Sequence, residues 1–386
     1  MTDQVRDNIT AISNAILPQD SKGVPQIVSY LGGVGTGLGL WARLSGAATG
    51  EEIKANVRDA YLFLVNNYIE GSEIYLFGWS RGAYTARVVS GLIYEVGLLK
   101  VSGAEYFGKL FDAFFDPKVE TRSVVPESLL IKVEVECLGL WETVGSLGIP
   151  DSGVLGFQIP ILDQLLERWN HLQWYRFNNT VIPATSRIGL QACASNKSML
   201  TKDSFAIDED LRFLSPTLWI MPEDSKNILR QVWFAGLHPS ICGAYAPHAF
   251  GDISLCWMVS EVSTLTSLEF DKDFLFNRLK GDTPQIPSWG AVPSPPFPLF
   301  ADKFAYTVGP KLQRTPGKYP TPVGYVSNEY YHHSVLERIA GTKDGYPSGV
   351  AVAKVLPKLP YTKMEFEFAV GSGLTTPEQV QEFWEV

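Results

Sequence analysis

"YLFGWSRGAYTAR", residues 75–87, sets a serine between two glycines where an apolar run gives way to a helical pattern. "EIYLF" (73–77) reads as a strand and "RGAYTARVVSGLIYEVGLL" (81–99) as a helix. Gly78-Trp79-Ser80-Arg81-Gly82 is therefore G-x-S-x-G in a strand–turn–helix context. Such a turn is sharp and strained. The small flanking glycines let it form, and it lifts the serine hydroxyl above the sheet edge. The N–H of Arg81, at the helix start, would face a developing oxyanion. Trp79, next to the serine, is a candidate substrate contact. The plain alternative is a structural turn with no chemistry.

Outward from this stretch, strands and helices alternate. "PQIVSYL" (25–31) is apolar and β-branched and runs into "GGVGTGLG", a predicted strand and glycine-rich loop. Gly35 and Thr36 in that loop are candidate substrate contacts. The loop lacks the Lys-Ser/Thr of a phosphate loop and the spacing of a dinucleotide fingerprint. In "TGEEIKANVRDAYLFLVNNYI", Thr49 and Glu52 fit a capping box, and Ile53, Val57, Tyr61, Leu64, Val65 and Tyr68 recur at helical spacing. "IKVEVECLGLW" (131–141), "RIGLQACA" (187–194) and "ILRQVWFAGL" (228–237) read as strands, and "VLGFQIPILDQLLERW" contains a helical segment. This order predicts an α/β fold, a mostly parallel sheet with helices on both faces. Ligands of such sheets bind at the C-terminal strand ends, where Ser80, Glu142 and His238 all fall.

A serine hydroxyl needs a base. The five histidines are His171, His238, His248, His332 and His333. His238 follows a late strand in "GLHPSICGAY", the place a triad base takes. His248 is the rival. His332 and His333 open an apparent helix, and His171 reads as a surface residue. The acid belongs between serine and histidine in chain order. Glu142, in "GLWETVGSLG", sits at a strand end, with Asp208 and Asp151 as rivals.

Composition excludes several other classes. A net charge of −9 with no basic run gives nucleic-acid binding no electrostatic support. Cys137, Cys193, Cys242 and Cys256 form no CxxC pair, so no metal site is expected. No organic cofactor is implied either. The polar "MTDQVRDNIT" is unlike a signal peptide, and no apolar stretch nears the ~20 residues of a membrane helix. The expectation is a soluble, cytoplasmic protein; its oligomeric state is not readable. Residues 284–322 hold ten prolines and little periodicity. The expected organisation is a core over 1–262, with a Pro-rich cap or wrap and C-terminal elements over 263–386 packed on the same core. The tail from Tyr361 reads as a strand and then a helix.

"YLGGVGTG", "LFGWSRGAYTAR" with "LGLWETVGSLG", and "QVWFAGLHPSICGAY…DISLCWM" together resemble the type VI secretion phospholipase-effector-like α/β-hydrolase domain, over roughly residues 7 to 340. The resemblance implies an α/β-hydrolase fold and a Ser–acid–His triad acting on esters, lipids among them. By motif the triad is Ser80, Glu142 and His238. There are departures. The family's "WDTVGS" reads "WETVGS", its "HALAIDE" reads "DSFAIDE" with Asp203 at the usual His, and its "HSDVGGG" reads "HPSICGA". The family also opens with a strand ending in Asp-Gly-Thr, ahead of a segment like "DNITAISNAI", and that strand end supplies the second oxyanion donor. Its lack here predicts an oxyanion hole that is incomplete or completed by an N–H near Gly33 to Gly37.

The leading expectation is a serine hydrolase acting on a small-molecule or lipid ester through an acyl-enzyme. The alternative is a non-catalytic hydrolase-fold module that binds a ligand or protein at a degenerate site.

Overall fold

The computed structural model describes residues 7–32, 50–116, 118–143, 180–195, 216–236, 238–244, 248–282, 316–317, 321–335 and 357–359. The helices are α1 (Asn8–Ala15), α2 (Gly50–Asn67), α3 (Arg81–Val96), α4 (Phe107–Phe115), α5 (Ala249–Leu265) and α6 (Lys272–Asp282). The strands are β1 (Tyr75–Trp79), β2 (Leu98–Leu99), β3 (Leu130–Ile131), β4 (Val135–Trp141), β5 (Ser186–Ser195), β6 (Met221–Pro222), β7 (Ile228–Ala235), β8 (Tyr325–Val326), β9 (Glu329–His332) and β10 (Lys358–Leu359).

Among the described residues, six strands form one sheet in the order β1-β4-β5-β7-β9-β10, and every pairing between them is parallel. Alternate side chains of its strands feed two cores, as the period of two requires. Leu138 and Leu140 of β4 face α2 and α3, where Ile53, Val57, Tyr61 and Leu92 are buried. Cys137 and Trp141 face the opposite side with Ile188, Leu190, Val232 and Phe234, under Ile12 of α1 and Trp257, Met258 and Val262 of α5. The chain is thus an α/β protein with helices on both faces.

The helices form for local reasons. Asp7 caps α1 by accepting the Thr10 N–H at 2.7 Å, and one face of α1 (Asn8, Ala11, Ile12, Ala15) is buried. In α2 the buried Ile53, Val57, Tyr61 and Val65 recur every four residues. The hydroxyl of Tyr61 donates to Gly97 O and accepts from Leu99 N–H, both at 3.0 Å, tying α2 to the turn after α3. Thr49, the expected cap of α2, lies outside the described residues, as do the segment "VLGFQIPILDQLLERW" and the tail from Tyr361.

Two strand expectations need correction. Residues 25–31 form no strand: Pro25 makes an isolated bridge to Gln19, and Ile27 and Tyr30 are 63% and 49% exposed. Gln26 is held at its side chain by Leu17 O and Glu269 O, but β-branched residues make a strand only beside an edge that pairs with them. Among the described residues, no strand pairs with the outer edge of β1. The strand expected over 131–141 begins at Val135, because Leu130 and Ile131 pair instead with Leu99 and Leu98 in a separate two-stranded ladder.

Most of the proline-rich stretch lies outside the described residues, except 316–317 and 321–322. Gly317 is held to the sheet: its N–H donates to Glu329, which also accepts from Trp233 Nε1 and Ser327 Oγ, each at 2.9 Å.

Candidate active site

β1 ends in the sharp turn. Ser80 has φ 55° and ψ −116°, a conformation a residue with a Cβ adopts only when its surroundings impose it. The ladder imposes it on one side, since Ser80 N–H donates to Trp141 O at 3.0 Å. α3 starts at the next residue, and Tyr84 N–H donates to Ser80 O at 3.1 Å. Ser80 stands at the helix N-cap, yet its hydroxyl makes no capping bond. It meets the Nε2 of His238 at 3.0 Å.

Glu142 arrives from the neighbouring strand in step with Ser80. Trp141 pairs with Trp79 on one side and Ala192 on the other, and Glu142 N–H continues the ladder to Ala192 O at 2.9 Å. Glu142 then turns sharply, at φ 46°. That aims its carboxylate along the ends of the strands. One oxygen faces His238 Nδ1 at 3.1 Å, and the other accepts the backbone N–H of Ala194 at 2.6 Å. The carboxylate is thereby oriented by the backbone of β5.

His238 lies three residues past the end of β7, in a turn that packs under α5. The turn is pinned from α1. Asn8 N–H donates to Cys242 O at 2.8 Å, and Asn8 Nδ2 donates to Ile241 O, Gly251 O and Ser254 Oγ at 3.2, 2.8 and 3.1 Å. Trp141 Nε1 reaches the same Ser254 hydroxyl at 3.0 Å. Ser80 is 6% exposed, and Glu142 and His238 are fully buried. A low local dielectric strengthens every charge interaction in such a site.

Serine, imidazole and carboxylate thus stand in hydrogen-bonded series, with the pairwise separations that activation of a hydroxyl needs. The rivals stand elsewhere. His248 Nδ1 is bonded to Gly243 O at 2.9 Å. His332 stacks on Phe234 at 4.6 Å and bonds Ser334 Oγ at 2.8 Å through Nδ1. His333 begins the helical turn after β9. His171, Asp151, Asp203 and Asp208 lie outside the described residues, as do Gly35 and Thr36. Arg81 opens α3 as expected. Trp79 is placed against the histidine, its ring 5.6 Å from that of His238.

Sequence reasoning passed over Ala194 and Asn8. Ala194 acts through its backbone, which no side-chain motif announces. Asn8 sits in a capping segment and reads locally as part of a helix start. Beneath Thr143, Arg87 lies 4.5 Å over the Trp219 ring and donates to Thr217 O at 2.7 Å, while Thr217 N–H donates to Thr143 O at 2.9 Å. Burial pulls the Arg87 guanidinium down to about 9, still protonated at neutral pH. Among the described residues no cluster of histidine, cysteine and carboxylate could hold a metal ion.

The sequence pattern of the type VI secretion system phospholipase effector Tle1-like catalytic domain matches residues 1–261 of the chain. The chain belongs to that family. The Tle1-like domain is a phospholipase effector catalytic domain, so membership supports a lipid-hydrolysing enzyme. The match takes in the Ser80 turn, the Glu142 strand end and the His238 loop. The chain is also similar to the uncharacterized protein YEL023C of Saccharomyces cerevisiae, 32% identical over 108 residues, which is 24% of this chain and 16% of the yeast protein. The matched part is a small share of that relative's length. No solved structure matches. Among the described residues, no helix is long and apolar enough to cross a membrane.

Proposed function

We propose that this Tle1-like domain is a serine hydrolase that cleaves a lipid ester through an acyl-enzyme, with Ser80 as nucleophile, His238 as general base and Glu142 as the acid that orients it. The supporting observation is the buried series Ser80 Oγ to His238 Nε2 at 3.0 Å and His238 Nδ1 to Glu142 at 3.1 Å.

In the first half-reaction Ser80 Oγ attacks the ester carbonyl carbon, and its proton passes to His238 Nε2. Glu142 accepts the Nδ1–H and stabilises the imidazolium without taking the proton. The carbonyl oxygen becomes an oxyanion, which the N–H of Arg81 meets at the positive end of α3. Collapse of the tetrahedral species breaks the acyl–oxygen bond, and the leaving alcohol takes the proton from Nε2. Water then repeats the sequence on the acyl-enzyme: His238 takes its proton, the carboxylic acid leaves, and the proton returns to Ser80.

A fluorophosphonate probe tests this reading directly. Labelling on Ser80, located by peptide mass spectrometry, together with its loss in Ser80→Ala and fatty-acid release from phospholipid vesicles, is the expected result. A folded wild-type protein that takes no label would instead be a binding module on a hydrolase fold.

A further inference from the structure

Trp79 is the last residue of β1 and lies immediately before Ser80. Its ring centroid is 5.6 Å from that of His238, with 32° between the planes. The two rings are tilted rather than stacked, and their separation lies inside the roughly 6 Å range of an aromatic–cation contact. The ring also packs against the buried core that contains Ile12, Trp141 and Trp257. Its indole N–H is buried and has no hydrogen-bond partner among the described residues. A phenylalanine would fill much of the same place without leaving a donor unsatisfied. What tryptophan adds over phenylalanine at this position is a larger and more electron-rich face.

His238 is fully buried, so the solvent does little for its charged form. Its two nitrogens are taken by Glu142 and Ser80. The ring face offers a neighbour a further surface from which to act on the charge, and Trp79 lies against the ring. We infer that Trp79 is a positioning residue whose indole face stabilises the His238 imidazolium and fixes the plane of the imidazole between Ser80 and Glu142. The inference rests on the triad reading for its role in catalysis, but the contact itself can be tested without turnover. Glu142 is a charged group that faces His238; it and His248, Asp252 and Cys242, on the loop and helix that follow, are unchanged in every variant below.

The test is the NMR titration of the His238 ring nitrogens in the Ser80→Ala protein over residues 1–386, with Trp79, Trp79→Phe, Trp79→Leu or a trifluorotryptophan introduced at position 79. Loss of the face should lower the His238 midpoint by about half a pH unit in Trp79→Leu, with Trp79→Phe lying between. Fluorination withdraws electron density from the face and changes ring shape little, so it should lower the midpoint even if Trp79→Leu does not fold. In the Ser80-containing enzyme the acid limb of kcat/KM should move by the same amount. A midpoint that ignores both leucine and fluorination overturns the inference. A midpoint that responds in a protein with no esterase activity leaves the contact standing and removes the hydrolase reading instead.

Discussion

Gly78 and Gly82 meet backbone to backbone across the turn that carries Ser80. A Cβ on Gly78 would collide with the carbonyl group of Gly82 and lie 2.6 Å from the amide nitrogen of Ala83. The obstacle is main chain and cannot rotate away. At Gly82 a Cβ would meet nothing within 4 Å. The two glycines of the motif are therefore unequal. Gly78→Ala should destabilise the fold by about 2–4 kcal/mol, a size that belongs to overpacking and backbone strain, or prevent folding. Gly82→Ala should fold with a midpoint in urea close to wild type. Parallel urea unfolding of the two variants checks this, and equal losses would contradict it.

Ser80 stores strain that glycine would release. Its φ of 55° and ψ of −116° cost a residue with a Cβ of order 1–3 kcal/mol. Glycine loses about 0.5–1 kcal/mol of that gain through its more flexible unfolded chain. Ser80→Gly should therefore raise the melting temperature and abolish fluorophosphonate labelling, while Ser80→Ala, which keeps the Cβ, should abolish labelling with little thermal gain. Differential scanning calorimetry separates the two. A Ser80→Gly protein no more stable than Ser80→Ala would mean that the turn is relaxed.

The cysteines should divide by burial. Cys137, Cys193 and Cys242 are buried and Cys256 is partly exposed. Burial pushes the Cys137 and Cys242 thiols well above their ordinary range, which removes the reactive thiolate. Titration of native protein with a chromogenic disulfide should give slow reaction at Cys256 alone, and all four thiols should react in guanidinium. Fast native reaction at Cys137 would mean that β4 opens to solvent.

The elbow was legible in the sequence because its requirements are local: one strand, two glycines and a helix start lie within thirteen residues. Glu142 and His238 were legible because a parallel sheet sends every strand end to the same edge, so chain order alone placed them near Ser80. The exposed course of residues 25–31 was not legible. Their composition is that of a strand, but pairing depends on what the far edge of β1 offers, and no local pattern encodes that. Nor was the short pairing of Leu130 and Ile131 with Leu98 and Leu99, which takes the front of the segment "IKVEV" away from the sheet. The Ala194 N–H on Glu142 is a backbone contact, and its position follows only from the register of β4 on β5.

The geometry of Glu142 gives substitution there a measurable consequence. The carboxylate spans two partners, His238 Nδ1 at 3.1 Å and Ala194 N–H at 2.6 Å. In Glu142→Gln the amide oxygen would keep Ala194, leaving the NH₂ to face Nδ1. That NH₂ favours the tautomer with a bare Nδ1 and a protonated Nε2, which cannot take the proton of Ser80. Turnover should fall by about three to four orders of magnitude, while stability changes by less than about 1 kcal/mol. Glu142→Asp keeps the charge but is shorter by one carbon–carbon bond, about 1.5 Å. It cannot hold both partners, and misplacement on this scale costs about a hundredfold in rate. The expected order of kcat is therefore wild type, then Asp, then Gln, with phospholipid or a soluble ester as substrate. A Glu142→Asp enzyme as fast as wild type would show that the Ala194 contact has no part in orienting the carboxylate. A Glu142→Gln enzyme as fast as wild type would remove Glu142 from the proposed triad altogether.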